Sequence, residues 1–329
     1  MDVLVIGGTG YMSGPVVNAL LEAGHAVTVL TRGERPLPEG VRSLKGDRKR
    51  HSEFVELMEG RPFDAVVDCI CYTPEDARAN LQAFAGRIGH LVMISTDFVY
   101  GPHRVLPATE DTPTRAMSEY GRKKVQCEEI FFGAFAEEGF PVTSLRPPHI
   151  MGAGGQLGTG SLLNRDPMLL DRMELGLPII LLDGGQLLIQ PVVHRDIAGA
   201  VCAALGVEAT FGRAYNMAGA DCVTTREYYD IVAATLGVDA PEYLSLPSAE
   251  YVRAFPDRAP FATHRMYSME RLAADTGFRP RISVRHAIFE MIDWLQSTGS
   301  AKPCVETELD LQAAALCRAF GEQLPRILG

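Results

Sequence analysis

Short apolar runs and stretches with helical spacing alternate along the first half of the chain. The apolar runs are residues 3–6, 26–30, 41–44, 65–68, 90–94 and 142–145. Helical spacing is found at residues 16–21, 74–84 and 120–138; a glycine follows the first of these, and a proline begins the second. Strands that are apolar on both faces and alternate with helices form parallel sheets covered on both sides, with right-handed connections. The pattern therefore predicts an α/β fold built on a doubly wound parallel sheet.

The pattern changes after about residue 150. Residues 151–160 are rich in glycine and are predicted to form a flexible loop, and prolines then interrupt the chain at positions 167, 178, 191, 241, 247, 256 and 260. We expect a first domain over residues 1–150, and a smaller α/β lobe over 151–300 that binds substrate and sends segments back to the main sheet. Residues 301–329 would be a helical extension. Its apolar residues at 309, 313, 316, 320 and 324 fall on one stripe of a helix over 306–324, which we expect to dock on its own domain or on a partner.

Composition and charge exclude several classes of protein. The chain has 329 residues, of which 47% are hydrophobic and 22% charged, so it can bury a full core. The 41 acidic and 31 basic residues leave a net charge of −10, which argues against binding along a nucleic-acid backbone. No stretch reaches the roughly 18 apolar residues that span a membrane, and a strand pattern follows Met1 without a leader segment. The seven cysteines are scattered without zinc-ligand spacing, so we expect a cytoplasmic chain with no metal.

A glycine-rich segment lies where the first predicted strand meets the first predicted helix. It reads Gly7-Gly8-Thr9-Gly10-Tyr11-Met12-Ser13-Gly14. Glycines at such a turn let the backbone approach a pyrophosphate, whose charge then lies at the helix N-terminus. We therefore predict that residues 1–150 form a Rossmann-type domain that binds a dinucleotide through Gly7, Thr9, Gly10, Tyr11 and Met12. The third glycine of a regular spacing would fall at Ser13, which is still small enough for close helix–strand packing.

The end of the second strand bears on which dinucleotide is bound. NAD-binding proteins place an acidic residue there to accept hydrogen bonds from the adenosine ribose, but this chain has Thr31-Arg32-Gly33. A guanidinium can pair with a 2′-phosphate, so Arg32 favours NADP(H) over NAD(H). The alternative is a solvated arginine at the start of a loop, and NAD stays open as the cofactor.

Hydroxyl groups and a lysine lie near the end of the fifth predicted strand and in the helix that follows. Ser95 and Thr96 end the strand, and Tyr120 and Lys124 are four residues apart, so they project from one face of the helix. A phenol has a pKa near 10, and a nearby ammonium lowers it so that tyrosine exchanges protons closer to neutral pH. A hydroxyl from Ser95 or Thr96 can bind the substrate oxygen beside it. Alone, Tyr120 and Lys124 would be an ordinary pair on a helix surface; after this turn and this strand, they predict a catalytic site.

With these motifs the sequence resembles the extended short-chain dehydrogenase/reductase superfamily, in its NAD-dependent epimerase/dehydratase branch. The resemblance extends over about residues 1–296. The matching segments are Gly7-Gly8-Thr9-Gly10, Gly46-Asp47-Arg48, residues 95–101, 120–124, 145–152, 192–198 and 215–219, and the helix that bears Trp294. The resemblance implies an enzyme with a small-molecule substrate, and a homodimer that forms through the tyrosine-bearing helix.

The resemblance also implies the catalytic roles. Tyr120 would be the acid/base, and Thr96 would be the hydroxyl residue that assists it. Lys124 would hold the nicotinamide ribose and lower the pKa of the tyrosine.

Further residues would bind the cofactor or lie near it. By the same resemblance, Asp47 matches the carboxylate that family members place on the adenine amine, and Arg48 lies beside it. The backbone at Cys69 and Ile70 would pass the cofactor. His149 would lie near the nicotinamide and the substrate.

Two departures from the family pattern restrict the reaction. Dehydratases of the family carry an Asp-Glu pair after the catalytic threonine, but here Asp97 is followed by Phe98, so we do not expect a dehydratase. Enzymes of nucleotide sugars often place an arginine just before the segment matching 191–193, where this chain has Ile189 and Gln190. Other arginines could take that role: Arg165, Arg172, Arg195 and Arg265. The predicted substrate contacts are Ser95, Asp97, Phe98, His149 and Gln190.

Three functions fit these observations. The first is an NADP(H)-dependent oxidoreductase that interconverts an alcohol and a ketone on a sugar-like or polyol-like molecule. The second is a sugar or nucleotide-sugar epimerase with tightly bound NAD, which uses the same residues without net consumption of cofactor. The third is a dinucleotide-binding regulator without catalytic activity, which the retained Tyr120 disfavours.

Overall fold

The computed structural model describes residues 1–103, 105–160, 165–306 and 308–328; for residue 309 and residues 320–328 it describes the backbone alone. The strands in chain order are β1 (Asp2–Ile6), β2 (Ala26–Thr31), β3 (Arg42–Lys45), β4 (Ala65–Asp68), β5 (His90–Ile94), β6 (Val142–Arg146), β7 (Ile150–Met151), β8 (Ile179–Leu182), β9 (Leu188–Ile189), β10 (Val192–Val193), β11 (Arg213–Asn216), β12 (Val223–Thr224) and β13 (Tyr243–Leu246). The helices are α1 (Ser13–Glu22), α2 (His51–Met58), α3 (Pro74–Phe84), α4 (Glu119–Glu138), α5 (Leu169–Glu174), α6 (His194–Ala204), α7 (Thr225–Leu236), α8 (Ser248–Ala254), α9 (Glu270–Thr276), α10 (Val284–Ser297) and α11 (Glu308–Leu328).

Seven parallel strands form the central sheet, in the order β11-β6-β5-β4-β1-β2-β3. The chain builds outward from β1 in one direction through β2 and β3, and in the other through β4, β5 and β6. The crevice at the carboxyl ends of the strands, where the strand order reverses, is the usual ligand site in such sheets. The predicted fold class, a Rossmann-type doubly wound α/β sheet, is confirmed.

The alternation of side chains along β1 explains why helices cover both faces of the sheet. Val3 and Val5 belong to one hydrophobic cluster, which includes residues of α1 and α6. Leu4 and Ile6 point to the other face, into a cluster with residues of α2, α3 and α4. All four side chains are fully buried, so a run of four apolar residues is what this place in the sheet requires.

The predicted elements of the first half are present, with ends that differ by a few residues. The short helix α2 was not predicted, because it has eight residues and buries only Phe54 and Met58. The second half returns to the main sheet through β11, and α6 packs against α1. A separate hydrophobic cluster forms mainly between α7 and α10.

The glycine-rich stretch at 151–160 is irregular, as predicted, but its backbone is held by specific contacts. The N–H groups of Gly158 and Thr159 donate to the hydroxyls of Tyr228 and Tyr229, at 3.1 and 3.2 Å. Leu157 is fully buried in the cluster of the second half. The high glycine content of this loop predicted that it would be flexible. Its backbone is instead held by tyrosine hydroxyls of α7, which accept these hydrogen bonds and are distant in sequence.

The stripe predicted for the C-terminal helix is wrong by one position. In α11 the buried side chains are Asp310, Ala314 and Cys317, whereas Leu316 is 52% exposed. The helix packs on β8 and β13, and Asp310 lies 3.7 Å from the buried guanidinium of Arg172. Ala314 and Cys317 on the same face pack into a cluster with residues of β8 and β13, and Asp310 adds a second carboxylate beside Arg172, which also pairs with Asp166 at 3.0 Å. The side chains at 309, 320 and 324, also assigned to the stripe, lie outside the described residues.

The structure also bears on two expectations from composition, those about membrane spans and about cysteines. Among the helices in the described parts of the chain, none combines the length and apolarity needed to cross a membrane. All seven cysteines are free thiols.

Gly8→Ala is expected to destabilise the fold by about 1–3 kcal/mol, the usual cost of overpacking a core. A Cβ atom at Gly8 would lie 2.8 Å from the Cγ2 atoms of Val17 and Val29, where α1 meets β2. The matched control is Gly14→Ala in α1, whose Cβ meets nothing within 4 Å and which should stabilise the helix by up to about 1 kcal/mol. Urea unfolding of both variants measures the difference, and equal midpoints would contradict the packing described here.

Candidate active site

Two neighbouring cavities lie at the carboxyl edge of the central sheet. The turn cavity, of about 690 Å³, is lined by the glycine-rich turn and by residues that follow β2, β3 and β4. The tyrosine cavity, of about 550 Å³, is lined by residues that include Thr96 and Tyr120. The rings of Tyr72, in the turn cavity, and Tyr120 have centroids 6.4 Å apart, where the two cavities approach one another. Each volume is in the range of small-molecule sites.

The glycine-rich turn is shaped by a left-handed residue and by an internal hydroxyl. Gly7 has φ of +86°, and a Cβ atom there would lie 2.7 Å from the side chain of Ile70. Ser13 Oγ accepts a hydrogen bond from the N–H of Gly10 at 2.9 Å and donates to the carbonyl of Gly7. Serine at the position of the third glycine is therefore part of the turn. Such a turn before α1 fits the pyrophosphate of a dinucleotide.

The remaining predicted residues of the turn have different surroundings. Gly7, Thr9 and Gly10 line the turn cavity. Tyr11 lines the tyrosine cavity instead, and its hydroxyl lies 3.3 Å from the carbonyl of Gly152. Met12 precedes α1 and packs partly against the core.

Arg32 lies at the edge of the turn cavity, with a second arginine close to it. Arg32 forms an ion pair with Glu34 at 2.8 Å, and both side chains are 64% exposed. Arg35 also lines this cavity, and its Nη1 donates to the carbonyl of Thr9 at 3.1 Å. Two guanidinium groups and one carboxylate therefore surround the position after β2.

Asp47 and Arg48, which are adjacent in sequence, have different surroundings in the structure. Asp47 lines the turn cavity, and its Oδ1 accepts from the N–H of Lys49 at 2.9 Å. Arg48 also borders the cavity but is 4% exposed, and its guanidinium bonds to Asp68 at 2.6 Å and to Asn80 at 2.8 Å. This guanidinium holds α3 to the end of β4, which is a structural task, so we do not assign Arg48 a contact to the cofactor.

Cys69 and Ile70 follow β4. Ile70 lines the turn cavity, and its N–H donates to Asp68 Oδ1 at 2.9 Å. Cys69 is 3% exposed and belongs to the core cluster of one sheet face, where burial raises the pKa of its thiol. The side chain of Cys69 therefore faces the core, and Ile70 faces the cavity.

Lys124 lies in the first half of α4, and its side chain is fully buried. Its Nζ donates to the carbonyls of Cys71 and Ile94, each at 2.7 Å. The ammonium also lies 4.9 Å from the ring centroid of Tyr72 and 5.9 Å from that of Tyr120. Burial lowers the pKa of Lys124, while neighbouring acidic groups oppose the shift. The lysine thus connects α4 to the ends of β4 and β5.

Tyr120 lies in the first turn of α4, which Ser118 caps by accepting from the N–H of Gly121 at 3.1 Å. The absence of a side chain at Gly121 lets this turn contact the strand end, because a Cβ there would lie 2.2 Å from the carbonyl of Phe98. Tyr120 is 41% exposed and lines the tyrosine cavity together with Thr96. The structure therefore brings together the predicted set Thr96, Tyr120 and Lys124.

The pKa of Tyr120 moves in the direction opposite to the one expected from its lysine. Burial raises it, and the negative charges that Tyr72 and Asp97 can carry raise it further, whereas the neighbouring hydroxyl of Thr96 opposes the shift. Lys124 directs its ammonium to two carbonyls instead. Tyr120 therefore keeps its proton at neutral pH.

Asp97 and Phe98 follow Thr96 in a short 3₁₀ turn and both line the tyrosine cavity. Asp97 is 3% exposed, accepts from the hydroxyl of Tyr267 at 2.9 Å and lies 3.9 Å from Arg265. Burial raises the pKa of this carboxyl, and Arg265 and Tyr267 oppose the rise. The ring of Phe98 contacts those of Tyr120 and Phe261 edge to face. Phe98 forms an aromatic wall of the cavity beside the tyrosine.

Two predicted substrate contacts are buried polar groups without a protein partner for one atom. Ser95 Oγ and His149 Nε2 are both buried and have no hydrogen-bond partner among the described residues. Both residues line the tyrosine cavity. Burial lowers the pKa of His149 well below its usual value, and the cations Arg165 and Arg265 lower it further. His149 is therefore neutral, and each of these atoms is available to a ligand.

Gln190, also predicted to contact substrate, has other partners. Its side-chain amide donates to the carbonyl of Gly219 at 2.9 Å and accepts from the N–H of Tyr267 at 2.8 Å. Within the described part of the chain, Gln190 is not among the residues that line either cavity. We therefore do not include it in the proposed site.

The four candidate arginines divide into two pairs. Arg165 and Arg265 line the tyrosine cavity. Arg172 is buried against Asp166 at 3.0 Å, and Arg195 pairs with Glu290 at 2.8 Å. The sequence could not separate these pairs, because position along the chain does not show which segments of the second half fold back over β5.

Several residues of the site were not predicted. Arg35, Tyr72, Phe261 and Tyr267 each line a cavity or contact a residue that does. Gly121 was part of a matched segment, but its direct contact with Phe98 was not foreseen. In the parts of the chain that the structure describes, no group of three or more His, Cys, Asp or Glu side chains could hold a metal ion.

A Rossmann sheet with this turn, and a Thr-Tyr-Lys set beside it, defines an enzyme that uses a nicotinamide dinucleotide. The chain matches the family model described as NAD dependent epimerase/dehydratase family over residues 3–218 and belongs to that family. The resemblance noted in the sequence, to extended short-chain dehydrogenases/reductases, is thereby confirmed.

Known proteins similar to this chain include reductases and epimerases. The chain is 33% identical to 2′-dehydrokanamycin reductase of Streptomyces kanamyceticus over 240 residues, which cover 72% of this chain and 67% of that protein. It is 32% identical to a UDP-glucose 4-epimerase of Corynebacterium glutamicum over 179 residues, 48% of this chain and 54% of that protein. A crystal structure of UDP-glucose 4-epimerase from Stenotrophomonas maltophila with bound NAD superposes with a TM-score of 0.74, over 92% of this chain and 100% of that chain, at 20% identity. This last similarity shows a shared fold.

Ser13→Ala is expected to weaken dinucleotide binding about five-fold, because a hydrogen bond that fixes the turn contributes about 1 kcal/mol. Titration of NADPH, followed by its own fluorescence, measures the dissociation constant. The control is Ser297→Ala, which removes a hydroxyl that bonds to the carbonyl of Trp294 on α10. An unchanged dissociation constant in Ser13→Ala would show that the hydroxyl does not shape the binding turn.

Proposed function

We propose that this protein is an NADP(H)-dependent reductase that converts a ketone on a sugar-like small molecule into an alcohol. The observation that carries the proposal is that Thr96 and Tyr120 share one wall of the tyrosine cavity, next to the turn cavity. Lys124 fixes the helix that bears the tyrosine. The reduction of a ketone needs a bound carbonyl oxygen and a proton donor beside it, and these residues supply both.

The residues of the turn cavity fit a dinucleotide. The glycine-rich turn would receive the pyrophosphate, the space beside Asp47 and Ile70 would receive the adenine, and Lys124 lies near the passage between the two cavities. When bound, the nicotinamide supplies or accepts a hydride. The buried side chains of Cys69 and Arg48 are given no contact with the dinucleotide in this proposal, and the backbone at Cys69 keeps the position beside the cofactor that the resemblance implies.

The protein's own residues would handle the proton. The hydroxyl of Thr96 is positioned to hold the substrate oxygen beside the phenol of Tyr120. Because the pKa of Tyr120 is raised, the phenol keeps its proton until a strongly basic alkoxide develops, and then donates it. A phenol that holds its proton at neutral pH suits reduction better than oxidation. Ser95 Oγ and His149 Nε2 are free to bind other oxygen atoms of the substrate.

The preference for NADP(H) is proposed from the charges after β2. Arg32 and Arg35 both line the turn cavity, and a 2′-phosphate could replace Glu34 as the partner of Arg32. Glu34 alone would favour the free ribose of NAD, so the balance depends on the second guanidinium, that of Arg35.

The substrate class follows from the relatives and from the missing carboxylate. The reductase from Streptomyces kanamyceticus supports net reduction of a sugar-like ketone, and Phe98 replaces the base that a dehydratase needs. The epimerase from Corynebacterium glutamicum supports the alternative, a sugar epimerase with tightly bound NAD. Consumption of one NADPH per product identifies the reductase, and turnover with no change in bound cofactor identifies the epimerase.

Tyr120→Phe is expected to reduce turnover by a factor of about 10²–10⁴, the usual contribution of a general acid, and to leave NADPH binding unchanged. A panel of sugar-like ketones, with NADPH absorbance as the readout, measures it. The control is Tyr243→Phe, which removes a hydroxyl bonded to Asp230 away from both cavities. Normal turnover in Tyr120→Phe would reject the catalytic role, and the absence of Tyr120-dependent turnover on every carbonyl would favour a regulator.

The double variant Arg32→Ala, Arg35→Ala is expected to raise the dissociation constant of NADPH by about 10- to 100-fold, since two charge-assisted contacts to phosphate are lost. The dissociation constant of NADH should change by less than about three-fold. The control is Arg253→Ala, an exposed arginine of α8 that pairs with Glu250. Equal loss of NADPH and NADH binding would contradict recognition of a 2′-phosphate.

We also propose a homodimer in the cytoplasm. The seven free thiols support a reducing compartment, and the resemblance supports a dimer through α4. Light scattering after size exclusion tests the dimer.

A further inference from the structure

Two arginines face the tyrosine cavity without a role in the proton transfer described above. Arg265 is 4% exposed and Arg165 is half-buried, and both line the cavity together with Tyr120. They come from segments 100 residues apart, one before α5 and the other before α9. Buried guanidinium groups are costly unless charge and hydrogen bonds compensate them.

The guanidinium of Arg265 is only partly compensated. Its Nη1 lies 3.9 Å from Asp97 Oδ2, which already accepts a hydrogen bond from Tyr267 at 2.9 Å. Its Nε is buried and has no hydrogen-bond partner among the described residues. Most buried donors in proteins have a partner, so an unpartnered one at a cavity wall is available to a ligand that accepts.

Arg165 is held in place by a neutral oxygen atom. Its Nη2 donates to the carbonyl of Ile150 at 2.6 Å. This contact fixes the guanidinium at the wall without neutralising it. Both arginines line the same cavity as the buried imidazole of His149, and both lower its pKa.

The charge of the cavity is therefore positive. The lining holds two guanidinium groups against one carboxylate, that of Asp97, because His149 is neutral. A cationic ligand would be repelled by this wall, whereas an anionic group would complete the hydrogen bonding of Arg265 and balance Arg165.

We propose that the substrate of the proposed reductase carries an anionic group, a carboxylate or a phosphate, that binds to Arg165 and Arg265. The inference rests on the proposed function for the position of the reacting carbonyl. Arg265 is near Asp97, and Asp97 Oδ1 lies 3.3 Å from the hydroxyl of Thr96. The anionic group therefore lies close to the ketone on the same small molecule.

The test compares four sugars of similar size that differ in charge. Glucuronate, glucose 6-phosphate, glucose and glucosamine are titrated into the protein saturated with NADP⁺, and binding is followed by saturation-transfer NMR. At least one of the two acids should bind about ten-fold more tightly than glucose, and glucosamine should bind more weakly than glucose. The relative affinities of the two acids tell whether the site prefers a carboxylate or a phosphate.

Arg165→Gln is expected to remove most of the preference for the acids. Arg265→Lys, which keeps the charge beside Asp97 and so protects folding, should reduce the preference because it loses the planar donor set. The control is Arg195→Gln, whose ion pair with Glu290 is exposed and whose loss should leave the preference intact. The dissociation constant of NADPH should be the same in all variants.

The inference is overturned if neither acid binds better than glucose in the unmodified protein, including the case in which none of them binds. It is also overturned if the preference survives Arg165→Gln. Tyr120→Phe should keep the preference while losing turnover. If acids bind preferentially but no carbonyl is reduced, the proposed reductase function is rejected and the anion site remains. If only neutral ketones are reduced, the anion site is rejected and the reductase function remains.

Discussion

The ammonium of Lys124 is buried and bonded to the backbone carbonyls of two neighbouring strand ends. A buried charge is tolerated only where hydrogen bonds replace its water, and here Cys71 and Ile94 provide them at 2.7 Å. The helix α4 is thereby fixed at one height above the sheet. Gly121 lets the first turn of the helix contact the carbonyl of Phe98 directly. These two constraints hold Tyr120 beside Thr96, and the proposed chemistry depends on that position.

The two cavities are built in different ways. The turn cavity comes from consecutive loops at the carboxyl ends of β1 to β4, so most of its lining lies within the first eighty residues. The tyrosine cavity takes one wall from β5 and α4 and another from segments near residues 150 and 260. The hydrogen bond between Tyr267 and Asp97 joins residues 170 positions apart. The residues of the proposed chemistry therefore lie on local motifs, whereas long-range contacts bring in the residues that we propose bind the substrate.

This difference explains what could be predicted from the sequence. The strands, the cofactor turn and the Thr-Tyr-Lys set are local patterns, and they were found. Gln190 and Arg48 occupy positions that suggested ligand contacts, but both side chains are used inside the protein. The folding of the second half decides which of the four arginines reach the cavity. The buried face of α11 is the one that packs against β8 and β13 and carries Asp310 to Arg172. The hydrophobic periodicity of the sequence shows neither which arginines reach the cavity nor which face of α11 packs inward.

The raised pKa of Tyr120 also shows how burial and charge compete. The spacing of Tyr120 and Lys124 suggests a lowered pKa, but the ammonium is directed to backbone oxygens, and burial then dominates for the phenol. A protonated Tyr120 can donate to an alkoxide across the neutral pH range. Oxidation in the reverse direction would need the phenolate, and would therefore rise with pH.

The most direct test is an ultraviolet titration of Tyr120 itself, which needs no substrate. The difference in tyrosinate absorbance near 295 nm between the unmodified protein and Tyr120→Phe, measured without cofactor, isolates this one group. The account predicts no ionisation of Tyr120 below about pH 10, the ordinary pKa of a phenol. A tyrosinate signal with a midpoint at or below about pH 8 would contradict it and would show that Lys124 governs the acidity of the site.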